Sequence, residues 1–159
     1  MLRADPAYAA RAQTVSALAR DVSEYINKIN ALNTVPRPRL VVAYHGACSL
    51  QHGQKISREP KEVLSKSGFV VKDVPDGHLC CGSAGTYNML QPQLARALRD
   101  RKVANIAKVA PDVIAAGNVG CITQIAAGTD VPVVHPIELI DWATGGPMPG
   151  ALRRPAEAV

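Results

Sequence analysis

The stretch LVVAYHGAC, residues 40–48, begins as an unbroken apolar run and ends at a cysteine. Five residues rich in Val, without the gaps of an amphipathic helix, predict a strand buried on both faces over 40–44. The preceding VPRPR, residues 35–39, breaks any helix and delivers the chain to that strand. Three further runs follow: FVVKDV at 69–74, DVIAAG at 112–117 and VPVVH at 131–135. Helical patterns lie between them. Ser57 to Ser67 has Pro60 in its first turn and Gly68 beyond its end, and Pro92 opens a longer helix carrying Leu94, Leu98, Val103 and Ile106. PIELIDWAT, residues 136–144, reads as a closing helix.

Strands alternating with helices predict an α/β domain, with a mainly parallel four-stranded sheet flanked by helices. A long N-terminal helix is expected over 6–32, where Val15, Leu18, Val22, Ile26 and Ile29 recur at helical spacing. That stripe is expected to pack on the sheet or on a preceding domain. The expected organisation is an N-terminal helical segment, 1–35, a cysteine-rich domain, 36–145, and a flexible tail, 146–159.

The chain has 159 residues, of which 47% are hydrophobic and 19% charged, a globular composition sized for one core. No apolar run is long enough to cross a bilayer, and the first residues lack a secretory apolar core, so the expected location is cytoplasmic. The net charge of +5, with only 4% aromatic residues, argues against nucleic-acid binding. Arg96, Arg99, Arg101 and Lys102 read as the solvated face of one helix.

In a reducing compartment four cysteines point to metal or thiol chemistry rather than disulfides. Cys48 follows the first strand, the adjacent pair Cys80 and Cys81 the second, and Cys121 the third. Open α/β sheets gather ligands at the carboxyl ends of their strands, so these distant thiols are expected to converge. Four thiolates can hold one [4Fe–4S] cluster or one tetrahedral zinc. Gln124 stands where a second zinc-knuckle cysteine would, which disfavours zinc. Gly82, Gly85 and Gly120 would let backbone approach a bulky cluster closely. Among the histidines, His45 and His52 flank Cys48 and His78 precedes the cysteine pair. His135, at the end of the fourth strand, is singled out as facing the crevice. Thiol–disulfide exchange at Cys80–Cys81 is a further alternative, needing one exposed thiol of low pKa.

YHGACSLQHGQK, DVPDGHLCCGSAGTYNMLQP and NVGCITQ, in this order, resemble the C-terminal cysteine-rich (CCG) domain of glycolate oxidase iron–sulfur subunits, a domain type shared with heterodisulfide reductase and lactate-utilisation subunits. DPAYAARAQTVSALARDVSEY and VVHPIELID extend the likeness over most of the chain. The resemblance implies an electron-transfer module, not catalytic alone, working with flavoprotein subunits and with the remainder of an iron–sulfur subunit. Peripheral attachment at the inner face of the membrane is expected as a variant of the cytoplasmic location. The fuller family pattern ends in C-x-x-C; here Gln124 takes the last position, leaving Cys48, Cys80, Cys81 and Cys121 as the implied ligands.

Overall fold

The computed structural model describes residues 2–30 and 32–153. They form two compact units divided between Ala31 and Leu32. No helix among the described residues is long and apolar enough to cross a membrane.

The second unit contains four strands: β1 (Val41–His45), β2 (Val70–Asp73), β3 (Val113–Ala116) and β4 (Val133–Val134). All pairings are parallel, in the order β2-β1-β3-β4. The register sets Val41 beside Val70, Val42 beside Val113 and Ile114 beside Val133. The continuous apolar runs are explained by burial on both faces: Val42, Ala43, Val113, Ile114, Ala115 and Ala116 have no exposed surface.

Helices α3 (Glu59–Lys66) and α7 (Pro136–Ala143) pack together, as do α5 (Pro92–Ala107) and α6 (Val119–Ala126). With right-handed crossovers these pairs cover opposite faces of the sheet. Leu64 and Leu139, one on each helix of the first pair, are fully buried. Burying one such leucine stabilises the fold by about 1.5–3 kcal/mol. The proline-rich entry to β1 is tied down too. Arg37 donates Nε to the Trp142 carbonyl at 3.0 Å and lies 5.4 Å from the centre of the Trp142 ring.

Two elements differ from the sequence pattern. The segment expected as one N-terminal helix is two, α1 (Ala9–Leu18) and α2 (Val22–Ile29), the latter followed by a left-handed Asn30. Ala19 turns extended, and Asp21 and Glu24 form a capping box that starts α2 anew. Val15, Leu18, Val22 and Ile29 are exposed. The second difference is α6, which begins immediately after β3 in a segment read only as following a strand. A four-residue helix, α4 (Tyr87–Leu90), and a wide π turn at Ser49–Gln54 complete the connections. Of the expected tail, Gly150–Leu152 form a 3-10 turn, and residues 154–159 lie outside the described residues.

Candidate metal centre

The chain leaves β1 toward β2 on one side and leaves β3 toward β4 on the other. The carboxyl ends of β1 and β3 therefore part, and such a switch point opens a crevice. His45 is the last residue of β1 and pairs with Ala116, the last of β3. Side chains alternate along a strand, so His45 shares a face with Ala43. Ala43, Ile114 and Ala116 pack there with Cys81, Cys121, Ile106 and Ile125. Two of the thiols are thus part of the hydrophobic core.

Cys121 lies in the first turn of α6. Asn118 caps that helix, its Oδ1 accepting from the Cys121 amide at 3.3 Å. Gly120 is needed for packing, since a Cβ there would stand 2.5 Å from Ser83 Oγ. The loop carrying the cysteine pair is thereby seated directly on the start of α6.

The cysteine pair is held from both sides by α5. Before the pair, Lys102 donates Nζ to the carbonyls of Asp76 and Gly77 at 3.1 and 3.2 Å. Asp76, itself left-handed at φ 52°, accepts from Arg101 at 3.1 Å and from Asn105 at 3.4 Å. After the pair, Gly82 adopts φ +89°, and a Cβ on it would lie 2.3 Å from the Ala95 carbonyl oxygen. Gln124 donates to that same oxygen at 3.2 Å. The reading of Lys102 as part of a solvated face is corrected here: it is 1% exposed. The buried face of α5 runs through Ala95, Lys102, Asn105 and Ile106. Its two polar members serve the turn that presents the cysteines.

All four thiols are free and line one cleft of about 220 Å³, with Ala47, Ser83, Gly85 and Asn118. The neighbours in sequence have different partners. Cys80 pairs with Cys48, whereas Cys81 pairs with Cys121 and has His45 beside it. The Gly82 amide donates to Cys80 Sγ at 3.3 Å, closing the bend. One ligand atom each from His45, Cys81 and Cys121 lies within 4.8 Å of the others.

The electrostatics follow from this packing. A hydrogen bond from the Cys121 thiol lowers the Cys81 pKa to about 4, against the cost of burial, and His45 and the Ser83 amide assist. Cys121 is pushed far up, first because its proton is held by Cys81 and then by burial. Burial raises Cys48, with Cys80 adding to the effect. Burial lowers the pKa of Lys102, while the negative charge of the thiols opposes that loss. Cys81 is thus the thiol of the cleft most readily deprotonated, and Lys102 is near enough for its charge to interact with the thiols. Soft thiolates beside an imidazole suit iron–sulfur clusters and zinc, and binding would displace the remaining thiol protons.

The expected convergence of Cys48, Cys80, Cys81 and Cys121 is what the fold produces. Gly85 lines the cleft at φ +62°, with open space around it. At Gly82 and Gly120 the space of the missing side chain is occupied by protein atoms. His135 is not among the cleft-lining residues described. Its Nδ1 instead accepts from the Ile137 amide at 3.2 Å, capping α7. The histidine beside the thiols is His45 instead: it is 2% exposed, with neither ring nitrogen hydrogen-bonded. Each unmet buried polar group costs about 1–3 kcal/mol, so this is an expensive residue to keep. Its placement as the last residue of the first strand was the available signal.

A family model for the CCG cysteine-rich domain matches residues 42–126. The chain is 42% identical over 143 residues to the glycolate oxidase iron-sulfur subunit of Escherichia coli (strain K12), covering 90% of this chain and 35% of that protein. It is 27% identical over 155 residues to the probable glycolate oxidase iron-sulfur subunit of Bacillus subtilis (strain 168), covering 91% and 35% respectively. Lactate utilization protein A of Bacillus cereus (strain G9842) is 25% identical over 144 residues, covering 86% of this chain and 60% of that protein. The chain thus spans about a third of the length of the first two relatives.

Proposed function

This chain belongs to the CCG cysteine-rich domain family, and from that premise we propose that it is the iron–sulfur electron-transfer module of a complex oxidising 2-hydroxy acids, of the glycolate oxidase kind. The observation that carries the reading is the convergence of four free thiols in one cleft at the switch point of the sheet. Cys48, Cys80, Cys81 and Cys121 are the proposed ligands of a cluster, [4Fe–4S] in type. Such a cluster accepts and releases single electrons. The chain's own groups hold and tune it. The Gly82 amide donates to a ligand sulfur, and Lys102 offsets thiolate charge from within the core. Gly85 leaves its side of the cleft open, with Gly82 and Gly120 shaping the backbone around it.

Oxidation of the acid belongs to flavoprotein subunits, with the remainder of the iron–sulfur subunit as the other partner. The proposed location is cytoplasmic, with peripheral attachment at the inner membrane face. The proposed organisation keeps an N-terminal segment, 1–35, the CCG domain, 36–145, and a tail, 146–159.

A second reading, a structural zinc site, is favoured by one observation: the three donors of His45, Cys81 and Cys121 are close enough for a single ion. One experiment separates the two. The chain is reconstituted anaerobically with iron and sulfide, then analysed for iron, sulfide and zinc and by EPR of the reduced protein. Iron and acid-labile sulfide in equal amounts are expected, with severe loss in Cys81→Ser. Zinc without sulfide replaces the cluster reading with the structural one, and full iron loading in Cys81→Ser removes Cys81 from the ligand set.

A further inference from the structure

Beyond its influence on the neighbouring Cys81 thiol, His45 has no partner that accounts for its almost complete burial. Both ring nitrogens are shielded from solvent and lack a hydrogen-bond partner, an arrangement native cores rarely retain without a use. The ring is carried by the last residue of a central strand, whose backbone is fixed by its pairing with β3. A ligand on such an element is positioned more accurately than one on a loop. One of its nitrogens shares a 4.8 Å neighbourhood with the sulfurs of Cys81 and Cys121. Gln124, by contrast, is occupied with the Ala95 carbonyl.

We propose that His45 is a fifth protein ligand of the metal centre, binding through a ring nitrogen on the Cys81–Cys121 side of the cleft, so that the cluster is not a four-ligand cubane but one that takes five protein donors. This rests on the metal-centre reading above. Coordination gives an otherwise unpartnered nitrogen a partner and fixes the imidazole tautomer, as metal-bound histidines require. It also adds a neutral donor where another thiolate would add a negative charge. Replacing thiolate by imidazole raises the potential of an iron–sulfur centre.

The test uses the full chain, reconstituted anaerobically with iron and sulfide, with and without ¹⁵N-labelled histidine. Pulsed EPR of the reduced protein should reveal a strongly coupled histidine nitrogen that changes with the label and disappears in His45→Gln. His45→Leu should lose iron several-fold under identical loading, while the metal-free protein melts about 2–4 °C higher, because an unpartnered polar group has left the core. His45→Cys should restore iron content and lower the midpoint potential. A loaded wild-type protein without nitrogen coupling, or His45→Leu with full iron content, overturns the inference. So does His45→Leu protein that melts lower when metal-free yet loads iron like wild type, the behaviour of a packing residue. Wild-type protein that takes up neither iron nor zinc would instead remove the metal-centre reading itself.

Discussion

Gly82 is a residue whose chemistry was visible from the sequence and whose reason was not. The C-C-G order announces a bend after two thiols, and the bend exists at φ +89°. What requires glycine is the Ala95 carbonyl, 2.3 Å from any Cβ, rather than open space for a cluster. Gly82→Val should therefore destabilise the metal-free protein by roughly 2–4 kcal/mol in urea unfolding, a large single-residue effect. Unchanged stability would mean the loop and α5 separate easily. Asp76 makes a second prediction. Its carboxyl is held below the usual range chiefly by the hydrogen bond from Arg101. A depressed carboxylate contributes stability that is present above its unfolded pKa, about 3.9, and is lost as pH falls through the lowered folded value. Asp76→Asn should be less stable than wild type at pH 7, with the gap closing on acidification below that window. Asn tolerates the left-handed backbone, so the variant tests charge rather than strain. A gap independent of pH would assign the effect to shape.

At the scale of elements, short local signals decided more than periodicity did. An apolar stripe at helical spacing ran across residues 6–32, but D-x-x-E at Asp21 restarts the helix, and local capping overrode the pattern. On α5 the buried face contains Lys102 and Asn105, which a hydrophobic count assigns to solvent. Their burial makes sense only against the turn at Asp76 and Gly77, more than twenty residues away in the chain. Helix α6 was hidden because its Asn118 cap sits directly at the end of a strand. That cap also aims Cys121. Asn118→Ala should cost about 1 kcal/mol in unfolding free energy. It should also reduce iron retention after gel filtration, since the amide of a proposed ligand loses its partner. Loss of stability with full retention would separate the cap from the centre.

For the whole molecule, the cleft couples metal to folding, because the same two cysteines stand in the core and in the proposed ligand set. A ligand that binds only the folded state stabilises it by about 2.7 kcal/mol at a hundred times its dissociation constant. Loading should therefore raise the melting temperature by several degrees, and anaerobic chelation should reverse the gain. Identical melting of loaded and stripped protein would locate binding outside this cleft.

The sequence by itself determined the parallel α/β class and the convergence of Cys48, Cys80, Cys81 and Cys121. Continuous apolar runs, helix signals between them and thiols at strand ends are local, and the handedness of crossovers turns them into one architecture. Only the tertiary structure decided which histidine faces the thiols. His45 and His135 both stand at strand ends, and the difference between them is what surrounds each. A helix amide partners His135, whereas both ring nitrogens of His45 are buried without a partner, beside the sulfurs of Cys81 and Cys121. The same holds for Lys102 and the two packed glycines. Their roles depend on atoms brought near by long-range packing, and no local pattern of residue types encodes such a neighbour.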